Sequence, residues 1–325
     1  MIKKSSHKLS QLTDVMRDGE FHDGTALGVL LQMTRSAVWK MIKKLERYGI
    51  EINSVKGKGY ALCEPLILLN EDKIRKKLTD KKSKLSLFES IDSTNEYLRS
   101  IRQPRIIHFC LAEQQTAGRG RLGRTWHSPF GKNIYLSCLY PFQKDISELA
   151  GLSLVVSLAI LSTMKEFGIH EDVQVKWPND ILCRNKKISG TLIEVQAESH
   201  GASHAIIGIG INTNMLLDES GQISQLWTSM RHASGEYLDR NLVCATLMNQ
   251  LLAYLHRFDS EGFSAFMQEW VAAEGMQGKQ VSVKTVSEIV TGEAVGINLQ
   301  GHLLLKLADG KIRAFSSGDT SVVKQ

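Results

Sequence analysis

The sequence lacks a long apolar run. Its longest apolar stretch, residues 149–161, is interrupted by Gly151, Ser153 and Ser157 and is too short to span a bilayer. We interpret it as part of a buried helix over residues 149–167. No apolar segment follows the first residues either, so the start of the sequence does not resemble a signal peptide. We therefore expect no association with a membrane.

The sequence also lacks paired cysteines. Its five cysteines are odd in number, scattered, and never arranged as Cys-x-x-Cys: Cys63, Cys110, Cys138, Cys183 and Cys244. This distribution argues against a disulfide framework and against a zinc site, and it favours a reducing compartment. We expect a cytoplasmic protein without a resident metal ion.

The 325 residues, 42% of them hydrophobic, are enough for about two domains by length alone. Changes in composition divide the chain further, into predicted domains at residues 1–65, 66–270 and 271–325. The middle part alternates apolar strands and helices, which predicts a mixed α+β class. The formal net charge of +6 permits a polyanionic partner without requiring one.

Residues 1–65 have the pattern of a helix-turn-helix. Apolar residues recur with helical spacing from Leu9 to Met16, a second short helix is predicted at about residues 25–31, and Thr34 is suited to cap a third. Two short helices joined by a tight turn place the second one in the major groove of DNA. The outward positions of that helix, suited to bases and phosphates, are Arg35, Ser36, Trp39, Lys40 and Lys43.

A basic hairpin follows the third helix. Two β-type runs within residues 50–62 flank a tip that carries Lys56 and Lys58, which predicts a wing. Residues 1–65 contain 8 Lys and 3 Arg against 3 Asp and 4 Glu, so +4 of the net +6 lies in this fifth of the chain. The charge favours DNA as the partner. Basic helical domains that serve packing or solubility alone are the alternative.

Residues 118–124 contain three glycines and three arginines. Glycine lets backbone N–H groups approach an oxygen closely, and arginine adds permanently charged, bidentate donors. We therefore interpret this segment, with Arg119, Gly120, Arg121 and Arg124, as an anion-binding loop.

The spacing of the glycines in this loop also matches a dinucleotide-binding motif, which requires a helix to begin there. Pro129 and Gly131 follow and disfavour that helix, and the absence of a Gly-Lys-Ser/Thr sequence excludes a P-loop. A solvated basic turn is the remaining alternative.

Gly-Arg-Gly-Arg at residues 118–121, followed by Lys-Trp-Pro-Asn-Asp at residues 176–180, resembles the biotin protein ligases. With the helix-turn-helix, nearly the whole chain is similar to the bifunctional biotin ligases and biotin-operon repressors, the BirA family. The resemblance implies an N-terminal winged helix-turn-helix, a central mixed α/β catalytic domain of the biotin/lipoate ligase type, and a small C-terminal SH3-like β-barrel. Short alternating runs after Gly278 fit that barrel, which could support the ligase core or the carrier protein.

Residues 92–96 read Asp-Ser-Thr-Asn-Glu. Ser93 and Glu96 form a capping box, which is a complete structural explanation. Their neighbours also offer neutral donors and acceptors that suit an uncharged ureido ring. The resemblance implies that the motif contacts biotin. The implied biotin-binding residues are Ser93, Thr94, Asn95, Gln115, Arg119, Gly120, Arg121, Lys187, Gly190, Gly208 and Gly210.

Lys187 lies where the chain re-enters an apolar strand, and turn chemistry does not explain a lysine there. The resemblance assigns Lys187 to the ligand carboxylate and the α-phosphate, where a cation would offset the repulsion between two anions. The implied catalytic residues are Lys187, Arg121 and Asp180. Asp180 could orient or deprotonate the incoming amine, or help to hold a metal ion.

Residues 205–212 are predicted to form a strand with alternate glycines, either at a close strand crossing or where a ligand lies against the backbone. Residues 213–234 are predicted to form a mobile loop that closes over a nucleotide. Trp227 either stacks on adenine or packs in the core. The implied nucleotide-binding residues are Arg119, Arg121, Arg124, Lys187, Asn212 and Trp227.

The resemblance implies a ligase that uses ATP, biotin and Mg²⁺ to form biotinyl-5′-AMP. Biotin then passes to a lysine of the biotin carboxyl carrier protein of acetyl-CoA carboxylase. It also implies a repressor that binds operator DNA as an adenylate-bound homodimer. The alternatives are a ligand-sensing repressor without ligase activity and a lipoate-type ligase. Lys187 and the arginines argue against the sensor, because a sensor of biotin alone has no use for phosphate ligands.

Overall fold

The structure is a computed structural model that describes residues 3–4, 7–101, 105–197, 203–218, 220–285 and 287–323. Its elements fall into three groups along the chain: an N-terminal helical unit, a central sheet with its helices, and a C-terminal β unit. Within the described residues, no helix is long and apolar enough to cross a membrane.

The N-terminal unit is a winged helix-turn-helix, as predicted. Its elements are β1 (Lys3–Lys4), α1 (His7–Met16), α2 (Gly24–Leu30), α3 (Arg35–Arg47), β2 (Ile52–Val55) and β3 (Gly59–Leu62). Asp23 caps α2, and the Thr34 hydroxyl caps α3 by accepting the Ala37 N–H at 3.2 Å. The two caps fix where α2 and α3 begin, and the short turn between these helices contains Gln32 with φ of 52°. The hairpin β2–β3 is the predicted wing.

The central region contains most of the helices and strands. Its elements are α4 (Glu71–Lys77), β4 (Lys84–Ser90), α5 (Thr94–Arg99), β5 (His108–Ala112), β6 (Ile134–Phe142), α6 (Leu152–Glu166), β7 (Val173–Lys176), β8 (Asp180–Cys183), β9 (Lys186–Ala197), β10 (Ser203–Ile211), α7 (Met230–Ser234), α8 (Arg240–Glu261) and α9 (Met267–Ala273). The sheet has the order β1-β4-β5-β6-β10-β9-β8-β7, and among its described strand pairs only β4–β5 is parallel.

Both faces of this sheet are covered, and the alternation along β5 shows how. Phe109 and Leu111 belong to the large core cluster that includes α6 and α8. Cys110 and Ala112 point to the other face, into a smaller cluster with Leu98 of α5. Because successive side chains of a strand face opposite sides, the sheet separates these two apolar layers.

The predicted helix over residues 149–167 is interrupted. Residues Ile146–Leu149 form a separate short 3-10 turn, and α6 begins only at Leu152. Gly151 between them has φ of 82°, which a side chain would disfavour, and a Cβ there would lie 2.4 Å from the Phe263 ring. The backbone conformation and the close contact with Phe263 therefore both require glycine at this position, directly before the helix.

The predicted loop over residues 213–234 also ends in regular structure. Its last residues form the short helix α7, and the Ser229 hydroxyl accepts the N–H of His232 at 3.2 Å. The remaining described residues between Asn212 and Ser229 are irregular.

The C-terminal unit is a small β domain, as predicted. Its strands are β11 (Gln280–Lys284), β12 (Ile289–Ile297), β13 (Leu303–Lys306), β14 (Ile312–Phe315) and β15 (Asp319–Val322). They form an antiparallel sheet in the order β14-β13-β12-β11-β15. Its buried side chains, including Val281 and Leu303, join the large core cluster of the central region. The division at residues 65/66 and 270/271 stays a prediction, and α9 runs across the second boundary.

A buried ion pair joins the central elements. Arg240 and Glu113 are both almost completely buried, and Arg240 Nη2 lies 2.6 Å from Glu113 Oε2. Arg240 also donates to the carbonyl oxygens of Ile67 at 2.9 Å and Asn133 at 3.1 Å. Glu113 accepts the Leu69 N–H at 2.5 Å. One cation thereby fixes α8, the end of β5, the start of β6 and the segment that leads out of the N-terminal unit.

We expect Arg240→Met to lower the free energy of unfolding by about 3–5 kcal/mol, because Glu113 would stay buried without its partner. Urea denaturation measures the change. The matched control is Arg75→Met, which breaks an exposed pair with Glu71 on α4 and should cost roughly 0–1 kcal/mol. Equal losses for the two variants would show that the buried pair does not hold the core.

Candidate functional site

A cavity lies between α5, the anion-binding loop, β9 and β10. Asp319, the first residue of β15, also contributes to its wall. The residues predicted to bind biotin all line this cavity: Ser93, Thr94, Asn95, Gln115, Arg119, Gly120, Arg121, Lys187, Gly190, Gly208 and Gly210. The fold thus brings together residues that are up to 117 positions apart in the sequence, from Ser93 to Gly210.

Neutral polar groups surround the N-terminus of α5. Gln115 Oε1 accepts hydrogen bonds from the Thr94 amide at 2.9 Å and from the Thr94 hydroxyl at 3.0 Å. Ser137 Oγ lies 2.7 Å from Thr94 Oγ1 and 2.6 Å from Asn95 Oδ1. Since Thr94, Asn95 and Ser137 are all buried, this end of the cavity offers fixed hydroxyl and amide groups without net charge.

The predicted capping box at α5 is wrong. Ser93 is the N-cap residue, but its side chain makes no capping hydrogen bond. Glu96 instead pairs with Arg99 and with Arg119, each at 3.0 Å. Two guanidinium groups attract the carboxylate more strongly than one backbone N–H, and Gln115 already satisfies the start of the helix.

The alternate glycines of β10 make room for side chains of the cavity. A Cβ atom at Gly208 would lie 2.3 Å from Asn95 Oδ1, and one at Gly210 would lie 2.3 Å from the Trp126 ring. Asn95 and Trp126 therefore rest directly on the sheet. Trp126 lines both this cavity and the neighbouring one, although sequence reasoning did not select it.

Arg121 connects the anion-binding loop to the rest of the wall. It donates to Asn179 Oδ1 at 2.9 Å and to the Gly318 carbonyl at 3.1 Å, and burial lowers the pKa of its guanidinium. Arg124 pairs with Asp319. The two arginines thus fasten the loop to the C-terminal β domain.

Lys187 and Asp180 form the ionic centre of the site. Lys187 Nζ lies 2.8 Å from Asp180 Oδ1, and both side chains are only about one-seventh exposed, at 14% and 15%. The same Nζ lies 5.4 Å from the centroid of the Trp126 ring. Lys176 lies in the wall of a second, adjoining cavity that Lys187 and Asp180 also line, and burial lowers the pKa of its ammonium group. Positive charge is therefore concentrated where the loop meets β9.

A second cavity adjoins the first and shares Lys187, Asp180 and Trp126 with it. Of the residues predicted to bind a nucleotide, Arg119 and Arg121 line the first cavity, Asn212 and Trp227 line the second, and Arg124 and Lys187 line both. Trp227 is half-buried in this wall, so it is not a core residue. Asn212 Nδ2 donates to the Thr228 carbonyl at 3.0 Å and so holds the loop that carries Trp227.

Sequence reasoning missed several residues of the site. Lys176 and Asn179 lie in the Lys-Trp-Pro-Asn-Asp motif at residues 176–180, which by itself indicates no role for either of them. Asp319 had no local signal, because it follows Arg124 by almost two hundred positions and reaches the loop only through the docking of the C-terminal domain. Trp126 had a weak signal, since it directly follows the anion-binding loop.

The residues predicted to contact DNA form a separate exposed surface. Arg35, Ser36, Trp39, Lys40 and Lys43 are exposed on α3, and Lys56 and Lys58 are exposed on the wing. The opposite face of α3 buries Val38, Ile42 and Leu45 in the core of the N-terminal unit. The helix therefore presents its basic side outward.

Three family models match the chain. The HTH domain matches residues 9–61, the Biotin/lipoate A/B protein ligase family matches residues 87–212, and the Biotin protein ligase C terminal domain matches residues 277–323. The three matches follow the three groups of elements in the structure.

Several known proteins are similar to most of the chain. The bifunctional ligase/repressor BirA of Salmonella typhimurium is 38% identical and covers 96% of each chain. The bifunctional ligase/repressor BirA of Bacillus subtilis is 31% identical over 92% of this chain and 93% of its own. The structure of the biotin protein ligase from Aquifex aeolicus in complex with biotin and ATP has a TM-score of 0.63 and 28% identity, and it covers 74% of this chain and 99% of its own.

We expect Gly210→Ala to displace Trp126 from the sheet and to destabilise the protein by about 1–3 kcal/mol, because the added methyl group would overlap the ring. Denaturation followed by tryptophan fluorescence measures both effects. Gly120→Ala is the control, since its Cβ would lie 3.4 Å from the nearest atom. Unchanged stability and emission in Gly210→Ala would contradict the packing of Trp126 on β10.

Proposed function

Because the chain belongs to the bifunctional ligase/repressor (BirA) family, we propose that it forms biotinyl-5′-AMP and transfers biotin to a lysine of the biotin carboxyl carrier protein. Biotin and ATP are its substrates, and its helix-turn-helix is a DNA-binding unit. The observation that carries the proposal is the position of Lys187, whose ammonium group stands in the wall common to two adjoining cavities.

Biotin would occupy the first cavity with its ureido ring at the N-terminus of α5. The ring has one carbonyl and two N–H groups and no charge, so it requires neutral donors and acceptors. Ser93, Thr94, Asn95 and Gln115 provide these groups, and hydrogen bonds within the protein hold them in position. A lipoyl group has no such polar ring, so this set of residues favours biotin over a lipoate-type substrate.

The first step joins two anions. An oxygen of the biotin carboxylate forms a bond to the α-phosphorus of ATP, and the bond from that phosphorus to the leaving oxygen breaks to release pyrophosphate. Lys187, Arg119 and Arg121 would offset the repulsion between carboxylate and phosphate. Catalysis of this kind depends on positioning and charge, not on a side-chain nucleophile.

The second step is an acyl transfer. The amine of the carrier lysine attacks the acyl carbon of biotinyl-5′-AMP, and AMP leaves with the electron pair of the broken C–O bond. We assign Asp180 to orienting that amine, because its carboxylate lies beside Lys187 at the meeting point of the two cavities. Arg121 would retain the adenylate until the carrier arrives, since its two neutral partners leave it able to bind an anion.

ATP requires a cation, and we propose that Mg²⁺ enters with it. Among the described residues, no group of three or more His, Cys, Asp and Glu side chains could hold a metal ion. Mg²⁺ bound to nucleotides needs only one or two protein carboxylates, since phosphates and water complete its shell. Asp180 and Asp319 line the second cavity and fit this limited role. When bound, the ion neutralises phosphate charge.

We further propose that repression is carried out by a homodimer that forms when the adenylate is bound. Beyond Thr191, the described part of β9 pairs with no strand other than β10, so the segment 192–197 is an open strand edge. An exposed edge can pair with the same edge of a second copy. Such a dimer would present two winged helices to the two halves of a palindromic operator.

Adenylation is tested by the exchange of pyrophosphate with ATP in the presence of biotin, of lipoate or of neither acid. We expect exchange with biotin only, and we expect Lys187→Ala to lower its rate roughly 10²- to 10³-fold, as loss of one preorganised charge does. Lys186→Ala is the matched control, because that neighbouring lysine is exposed at the hairpin and does not line either cavity. A normal rate in Lys187→Ala would remove this residue from the mechanism.

DNA binding is tested on the face of α3. Arg35→Ala and Lys40→Ala should each weaken operator binding by about 1–3 kcal/mol, the usual contribution of a base contact. Electrophoretic mobility shifts with operator DNA, biotin and ATP measure the loss. The control is Lys311→Ala, which removes the same charge from an 81% exposed side chain of the C-terminal domain. Equal effects of all three variants would indicate general electrostatic attraction and no recognition helix.

A further inference from the structure

A buried carboxylate joins the recognition helix to the central sheet. Glu89 belongs to β4 and is 2% exposed, although it is ionisable and lies outside both cavities. Lys44 Nζ of α3 lies 2.6 Å from its carboxylate, and the Tyr48 hydroxyl, just after α3, donates to it at 2.5 Å. Both donors therefore come from the helix that carries the DNA-facing residues.

An aromatic contact reinforces this connection. The rings of Tyr48 and Phe130 are stacked, with centroids 4.2 Å apart and an interplanar angle of 3°. Phe130 belongs to the central region, yet it is buried in the core cluster of the winged helix together with Leu45 and Ile50. The stack of Tyr48 on Phe130 and the buried ion pair of Lys44 with Glu89 leave little freedom for α3 to rotate relative to the sheet.

Both contact points are close in sequence to the ligand cavity. Glu89 lies four positions before Ser93, and Phe130 lies four positions after Trp126. The two segments are linked through residues 113–114, since the Ile91 N–H donates to the Gln114 carbonyl at 3.2 Å and the N–H of Gly131, next to Phe130, donates to the Glu113 carbonyl at 3.0 Å. The recognition helix is thus attached to the same two segments that form the wall of the cavity.

We propose that Glu89 is a positioning residue for operator recognition. It fixes α3 at one angle to the central sheet, so that the two helices of a dimer meet half-sites at one spacing only. The proposal rests on the repressor function proposed above, because it requires a dimer that binds two half-sites. Glu89 takes no part in adenylation.

A residue that only stabilises the fold has a different effect from one that positions α3. The dependence of DNA affinity on half-site spacing distinguishes these two roles. Loss of stability lowers the affinity for every DNA duplex alike. Loss of a fixed angle lowers the affinity for the correct spacing and relaxes the discrimination against other spacings. The sign of the change in affinity also distinguishes the positioning role from a pure charge effect. Glu89→Gln makes the chain more positive, and added positive charge by itself strengthens DNA binding.

The probe is a duplex that the wild-type chain selects from random-sequence DNA in the presence of biotin and ATP. Derivatives carry one or two extra base pairs between the half-sites, and two extra pairs rotate one half-site by about 70°. We expect the affinity of the wild-type chain for DNA to fall at least about tenfold when two base pairs are inserted. Glu89→Gln should bind the selected duplex about tenfold more weakly than wild type, as expected for a weakened charge-assisted hydrogen bond. Its affinity should fall less than about threefold further when the base pairs are inserted.

Tyr48→Phe provides a second variant, since it removes one donor to Glu89 and keeps the stack on Phe130. It should relax the spacing preference in the same direction as Glu89→Gln. The variant that carries both substitutions should lose less affinity for the selected duplex than the product of the two single losses, because the two residues share one hydrogen bond. Glu46→Gln is the control for charge, because this carboxylate of α3 pairs with Lys43 on the outer side. It should bind DNA as tightly as wild type or more tightly, with unchanged spacing preference. Pyrophosphate exchange should be normal in all of these variants.

Wild-type discrimination retained in Glu89→Gln overturns the inference. So does a uniform loss for all spacings that accompanies a lowered melting temperature, because that result assigns Glu89 to stability alone. A wild-type chain that selects no duplex overturns the repressor proposal and this inference with it. Weaker discrimination between half-site spacings in Glu89→Gln, together with normal pyrophosphate exchange, supports the inference.

Discussion

The ion pair of Arg240 and Glu113 sets the geometry on which the remaining site depends. Glu113 is the last residue before the segment that contains the anion-binding loop, and Asn133 immediately precedes the strand that follows this segment. A long, glycine-rich segment has high conformational entropy unless its ends are held. Arg240 holds both ends, and through Ile67 it also fixes the connection to the winged helix. The pair is fully desolvated, so its hydrogen bonds tolerate little displacement.

Charge within the site is arranged in local pairs. Arg119 faces Glu96, Arg124 faces Asp319, and Lys187 faces Asp180. Anionic substrates must compete with these carboxylates for the same cations. The carboxylates also hold the cations in position before a substrate binds. Arg121 differs, because its partners are a neutral amide and a carbonyl oxygen, and it is therefore the least neutralised cation of the loop. The C-terminal domain takes part in this arrangement through Asp319 and Gly318.

Much of the fold and part of the site could be predicted from local patterns. Thr34 as a cap, the apolar face of α3 and the basic wing involve neighbours a few residues apart, and all of them are present as predicted. The capping box at Ser93 failed because Glu96 has a stronger partner, Arg119, from a distant segment. The helix predicted over residues 149–167 is present but begins only at Leu152, because Gly151 before it has a left-handed backbone and lies against Phe263. In both cases a tertiary contact overrode a sound local preference.

The sequence by itself determined the kinds of chemistry present: a basic helix-turn-helix, an arginine and glycine loop, and a lysine at the start of an apolar strand. Those properties follow from composition and spacing within one segment. Tertiary structure alone decided that Trp126 rests on Gly210, that Asp319 reaches Arg124, and that Glu89 receives both Lys44 and Tyr48. Each of these contacts joins residues far apart in the chain, and their distances depend on how strands and domains pack, which no local pattern encodes.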